Sequence, residues 1–243
     1  GRRGGAPDGR SVAYSGVVVT DPASVVDDPR PPDSKEQVRR SPVIRVARRL
    51  DYKHDGQGFV DGRNHHLFVV PAKGGESTQL TKGVWDVTGF DWSPDSARLA
   101  VTGNSEPNSD LQRELDLYLV DLAGERTKIA GGFYLSSPSW SPRGDAIAFV
   151  APNGLEAGLV ERLWIVPPTG GVPRCLTLSL DQAVGDSIIT DMRGGHGGVR
   201  VRWSKDGNRL FFLSSGPGVT ALYSCDLDGN LWPEAGGARR IFD

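Results

Sequence analysis

Cysteine is scarce here, two in 243 residues, and so are methionine and histidine, at one and four. Cys175 and Cys225 allow one disulfide at most, which excludes a disulfide-stapled scaffold. Both sit in apolar, strand-like runs and read as buried free thiols, which favours a cytoplasmic setting. No run of 18 apolar residues exists, so no helical membrane span is expected. The opening GRRGGAPDGR is not followed by the apolar core of a signal peptide. Charge of one sign is also lacking. A net charge of −2 and a pI near 6.1 point neither to nucleic acid nor to an anionic membrane. Helical periodicity is almost absent, with room for one turn between Ser109 and Leu115. The single methionine is Met192 and not an initiator, so the chain is expected to be cut from a longer polypeptide.

What is abundant is glycine, 32 residues, and proline, 17, as suits many short strands joined by tight turns. A repeat organises them. Trp92-Ser93-Pro94-Asp95-Ser96-Ala97-Arg98-Leu99-Ala100-Val101 is matched by the ten residues from Trp140 and again by those from Trp203. A degenerate copy, Ala6 to Tyr14, opens the chain, with Gly5 where tryptophan would stand. Each copy is followed by a second element, at His66, Asp116, Arg162 and Ala221. A short third element then ends at Thr81, Ala130, Thr177 and Phe242.

The physics of one unit is readable. Tryptophan ends a first strand, proline sets φ, and the Asp-Gly type pair makes a hairpin turn. Leu99-Ala100-Val101, Ile147-Ala148-Phe149 and Leu210-Phe211-Phe212 are nearly continuous apolar runs, as expected of strands covered on both faces. A third strand such as Leu117 to Val120 follows, then a Gly-rich turn and a short fourth strand. Four antiparallel strands recurring about every 48 residues, from Trp92 to Trp140, describe a propeller blade. The predicted fold is all-β, a β-propeller of about four four-stranded blades. They fall at 1–82 (with a long insertion), 83–131, 132–178 and 199–243, and 179–198 reads as an inter-blade loop. A β-sandwich is the competing fold, but sandwiches do not repeat their turn chemistry this closely.

The unit W-S-P-D-G-x-x-L-A-F, L-Y-V-V-D, L-T resembles the propeller repeat of the prolyl oligopeptidase family of serine peptidases, and equally that of TolB. The segment from Arg48 to Phe68 separates the two. It is similar to R-x-x-Y-K-x-D-G-x-G-F-x-D-x-R-x-x-H-L-F, which acylaminoacyl-peptidase-like members carry in their propeller. The resemblance implies the N-terminal propeller portion of such a peptidase, part of a larger, seven-bladed ring. It further implies an α/β-hydrolase domain with a Ser-Asp-His triad, to which the propeller restricts peptide access. No hydrolase domain is present in these residues.

No catalytic residue is expected in this chain. G-x-S-x-G is absent. Gly185-Asp186-Ser187-Ile188 is similar to a G-D-S-L block, but Asp191 and His196 have the wrong spacing for its partners. No metal is expected either: His65 and His66 are adjacent on a strand and face opposite ways, and Asp226 to Asn230 lacks the distal glutamate of a calcium loop. No phosphate loop or dinucleotide fingerprint occurs, so no cofactor is expected. The Pro-rich, charged insertion between Thr20 and Arg49 reads as a solvated loop. Beside the resemblance, Arg49, Tyr52, Phe59, Arg63 and His66 become candidates for substrate gating or domain contact. The plainer reading makes Tyr52 and Phe59 apolar anchors, with Arg63 and His66 as their polar partners.

Expected partners are the remaining blades and hydrolase domain of the parent chain, or a second copy. Blades taken from a longer ring expose two faces and unpaired strand edges. Peptides would be the parent's substrates. The alternative is a TolB-like interaction propeller, which the Tyr52–Phe68 segment argues against. A propeller lyase or glycosidase would need carboxylates converging from successive blades, where this repeat is mostly apolar.

Overall fold

The structure, a computed structural model, describes residues 3–21, 25–26, 44–47, 49–54, 58–60, 62–112, 114–153, 160–186, 201–216 and 218–235. Four antiparallel sheets follow one another along the chain. Blade I contains β1 (Arg3–Gly5) and β2 (Ser11–Val19). An insertion follows, bearing two small ribbons, β3 (Val25–Val26) with β4 (Ile44–Arg45) and β5 (Lys53–His54) with β6 (Gly58–Phe59). The blade closes with β7 (Arg63–Pro71) and β8 (Thr78–Gln79). Blade II is β9 (Val87–Trp92), β10 (Arg98–Gly103), β11 (Leu115–Asp121) and β12 (Arg126–Phe133). Blade III is β13 (Ser136–Trp140), β14 (Ile147–Pro152), β15 (Glu161–Val166) and β16 (Arg174–Cys175). Blade IV is β17 (Ala183–Val184), β18 (Val201–Trp203), β19 (Arg209–Gly216), β20 (Val219–Asp226) and β21 (Leu231–Ala235). The repeated tryptophans end β9, β13 and β18, and Gly5 ends β1 in the same place. The one helical turn among the described residues is a 3-10 turn at Ser109–Leu111.

Two details depart from the sequence reading. Ala183 and Val184, within the stretch expected as an inter-blade loop, pair with Ser215 and Ser214 of β19, while β18 pairs with Leu210 to Phe212 of the same strand. The first strand of blade IV is thus built in two pieces laid end to end along β19. The chain between them, at 187–200, lies outside the described residues, as do Asp191 and His196. The fourth strand of blade IV is Leu231–Ala235, paired with Leu222 to Cys225. The closing element expected at 239–242 lies outside the described residues.

The core lies between blades. Leu67, Trp85, Trp92, Leu99 and Val101 fill the space between blades I and II. Leu117, Trp140, Ile147 and Phe149 do so between II and III, and Val150, Leu163, Leu210 and Phe212 between III and IV. Each fully buried side chain of this size stabilises by about 1.5–3 kcal/mol, and a lone blade would forfeit most of that gain. The first strands of neighbouring blades lie side by side, β1 by β9, β9 by β13, and β13 by β18.

Polar contacts repeat with the blades. The Trp92 indole donates to the Gly4 carbonyl at 3.0 Å, and the Trp203 indole to the Ser139 carbonyl at 3.1 Å. The turns after each tryptophan also touch: Asp8 N–H donates to Ser96 Oγ at 3.1 Å, and Arg143 donates to Asn208 Oδ1 at 2.6 Å. Within these turns Ser93 and Ser204 each donate to the aspartate two residues on, at 2.6 Å, and accept the N–H that starts the second strand.

This topology separates two ends of the blades. The first-to-second and third-to-fourth strand turns lie at one end. The second-to-third connections and the blade-to-blade connections lie at the other. The long insertion and the loop from Asn104 to Glu114 are both second-to-third connections, so they meet at the second end.

Candidate functional site: a cleft beneath the insertion

Arg49, on the insertion, reaches across to blade II. Its guanidinium donates to Ser109 Oγ at 2.7 Å and to Asp110 Oδ1 at 3.0 Å. Leu50 N–H donates to the other oxygen of Asp110 at 2.9 Å. That backbone bond is the main reason the Asp110 carboxyl lies below the ordinary carboxylate range, with the Arg49 charge adding to it. The β5–β6 ribbon turns back on itself, bringing the Tyr52 and Phe59 rings to 6.4 Å, and Lys53 Nζ lies 5.4 Å from the centre of the Phe59 ring. Asp51 pairs with His54 at 3.1 Å.

Asp86, in the connection from blade I to blade II, gathers the start of β7. It accepts from Asn64 Nδ2 at 2.8 Å and from His65 N–H at 2.6 Å, and it lies 3.1 Å from His65 Nδ1. Between the insertion and these two blades lies a cleft of about 320 Å³, within the range of small-ligand sites. Arg49, Tyr52, Phe59 and Arg63 all line it, together with Trp85 and Asp86. A second basin of about 640 Å³ continues from it toward Val17 and Phe90, sharing Asp51, Phe59, Arg63 and Asp86.

His66 lies outside the cleft. It alternates with His65 along β7 and is fully buried, edge-on to Trp85 with ring centres 5.9 Å apart. Its Nε2–H donates to the Gly83 carbonyl at 2.9 Å, and Nδ1 lies 3.1 Å from Thr81 Oγ1. Thr81 also accepts Leu67 N–H at 2.9 Å, an arrangement repeated by Thr177 and Leu163 N–H in blade III. Burial pushes the His66 pKa down, only partly offset by the Gly83 hydrogen bond and the Asp86 charge. The structure therefore brings four of the five candidates to one cleft and seats the fifth in the wall behind it. Asp86, Trp85 and Asp110, which the sequence reading missed, complete the site. Their own surroundings carry no motif; they belong to connections that only the blade geometry brings beneath the insertion.

Among the described residues no group of three or more His, Cys, Asp or Glu is gathered as a metal site. No helix there is long and apolar enough to cross a membrane.

Four repeated four-stranded sheets with cores between them define a β-propeller. No family model matches the chain. The Bacillus subtilis (strain 168) protein described as "Uncharacterized peptidase YuxL" is 28% identical over 230 residues, 93% of this chain and 34% of that protein. The chain thus spans about a third of the curated relative it matches. Among solved structures, the Pyrococcus horikoshii acylaminoacyl peptidase shares the fold with a TM-score of 0.60 at 14% identity, over 96% of this chain and 31% of that one. A putative TolB from Agrobacterium tumefaciens matches with a TM-score of 0.56 at 18% identity, over 96% and 64% of the two chains. The chain is similar in sequence to part of a protein described as a peptidase, and in fold to part of an acylaminoacyl peptidase and to a putative TolB.

Proposed function

We propose that this chain is the non-catalytic propeller part of a prolyl-oligopeptidase-family serine peptidase of the acylaminoacyl- or dipeptidyl-peptidase kind. In this reading it gates peptide access to an α/β-hydrolase domain outside residues 1–243. The observation that carries the reading is the likeness to a peptidase running through 93% of the chain. The cleft supports it, since the segment that resembles acylaminoacyl-peptidase propellers supplies Arg49, Tyr52, Phe59 and Arg63 to one concave surface. The partners are then the remaining blades and hydrolase domain of the parent, with peptides as its substrates. Two cysteines without a disulfide support a cytoplasmic setting.

The test is to label the full polypeptide that carries this chain with a fluorophosphonate, map the modified serine, and assay hydrolysis of acetylated peptide anilides. The expected result is a single labelled serine outside residues 1–243 and hydrolysis that the label abolishes. The second reading, a TolB-like interaction propeller, has the putative TolB match in its favour. Absence of label and of hydrolysis in the full polypeptide would transfer the assignment to it.

A further inference from the structure

The cleft beneath the insertion has a chemical bias that gating alone does not require. Among the described residues, the carboxylates lining it are Asp21, Asp51, Asp86 and Asp110, set against the guanidiniums of Arg49 and Arg63. Asp110 is already joined to Arg49. Asp51, Asp86 and Arg63 line both the cleft and the second basin, so two carboxylates and one guanidinium stand where the two meet. Beside them the Tyr52 and Phe59 rings are 49% and 43% exposed, a large apolar area to leave facing water on a hairpin. The Phe59 ring already has one cation, Lys53 Nζ, at 5.4 Å. A concave site with aromatic walls and an excess of carboxylate complements a ligand that is apolar and positively charged.

We infer that this cleft is a secondary binding site for peptide segments in which an apolar residue stands next to a basic side chain. The apolar side chain packs against Tyr52 and Phe59. The lysine or arginine beside it lies between Asp51 and Asp86. The inference rests on the reading of the chain as part of a peptide-handling protein and adds a preference to it. The volume, about 320 Å³ with a further 640 Å³ alongside, suits two or three residues of an extended segment.

The test is calorimetric titration of the full polypeptide, its nucleophile blocked by fluorophosphonate, with Ac-Phe-Arg-NH2, Ac-Phe-Ala-NH2 and the unblocked Phe-Ala-NH2. The expected result is binding of the arginine peptide about tenfold tighter than that of the blocked alanine peptide, with the advantage weakening as salt rises. The double variant Asp51→Asn with Asp86→Asn removes the advantage. Tyr52→Ala weakens both blocked peptides about equally. Asp51→Asn alone, a substitution at an exposed side chain, still reduces the advantage and guards against misfolding of the double variant. Equal affinity for the two blocked peptides, or an advantage that survives the double variant, overturns the site. Tight binding of Phe-Ala-NH2 overturns the basic side chain as the recognised group and assigns the α-ammonium instead. The outcomes separate from those of the proposed function. Hydrolysis without this preference leaves the peptidase reading intact and removes the site. The preference without any serine labelling keeps the site and removes the peptidase reading.

Discussion

The indole N–H of Trp92 meets the carbonyl of Gly4 at 3.0 Å, tying the first strand of blade II to that of blade I. Trp203 repeats the contact on Ser139. Trp140, in the same place between them, does not: its indole nitrogen is buried without a partner among the described residues. Its backbone N–H is held instead by the Asp91 carboxylate at 2.7 Å. Trp92→Phe and Trp203→Phe should each destabilise by about 1–2 kcal/mol, because each removes an indole hydrogen bond between neighbouring blades together with part of a buried ring. Trp140→Phe should cost at least about 1 kcal/mol less, since it removes an unsatisfied donor. Urea melts of the three variants check the contrast.

Asp91 itself makes a pH prediction. Burial raises its carboxyl from 3.8 to about 6, against the opposing hydrogen bond from Trp140. Between those values the folded state holds a proton that the unfolded state has lost. The stability contribution is therefore full below pH 3.8 and is lost as pH rises through 6. An Asp91→Asn variant has no charge to bury. Relative to the unaltered chain its stability should be about equal near pH 4 and higher by about 2–3 kcal/mol at pH 8. Paired denaturation curves at the two pH values read the difference directly.

Gly124 tests the packing of successive blades. It has φ +87, and a Cβ there would stand 2.8 Å from the Leu80 carbonyl oxygen of the preceding blade. Gly229 repeats the relation at φ +89 against Leu176 O, at 3.0 Å. Gly74 has nearly the same backbone, φ +88, with open space around it. Gly74→Ala should cost about 1–2 kcal/mol, for the left-handed conformation alone. Gly124→Ala should cost about 1–2 kcal/mol more, for displacing the neighbouring blade. Equal losses would show that the turn, and not the blade contact, requires glycine.

His66→Ala removes a buried ring and takes from the Thr81 hydroxyl proton and the Gly83 carbonyl the partners that the ring supplies, while Thr81 Oγ1 still accepts Leu67 N–H. A loss of about 2–4 kcal/mol is expected at pH 8. With its pKa lowered by burial, His66 contributes fully above 6.5, and that contribution falls as pH drops below 6.5. The cost of the substitution should therefore shrink at pH 5. A cost that is unchanged between the two values would mean that the ring is protonated in the fold.

Period and turn chemistry come from neighbours in the chain, and they were legible residue by residue. The tryptophans mark strand ends, and the positions Gly9, Gly144 and Gly207 mark left-handed turn residues. Ser96 occupies the same slot at φ 59, so a turn that favours glycine is recognisable even where glycine is missing. The two-piece inner strand of blade IV was not legible, because Ala183–Val184 is too short to carry a pattern and is a strand only through Ser214 and Ser215 of β19.

The sequence by itself determined the blade, its four-strand order and the residues that had to be buried, since alternation, apolar runs and turn residues act over a few positions. Only the tertiary structure decided the cleft. Arg49 and Asp110 are 61 residues apart, and Asn64 and Asp86 are 22 apart. Each pair meets because inter-blade packing sets the end of one sheet beside the end of the next. That packing is driven by non-directional apolar burial, which names which side chains go inside but not which polar groups are left facing each other at the rim.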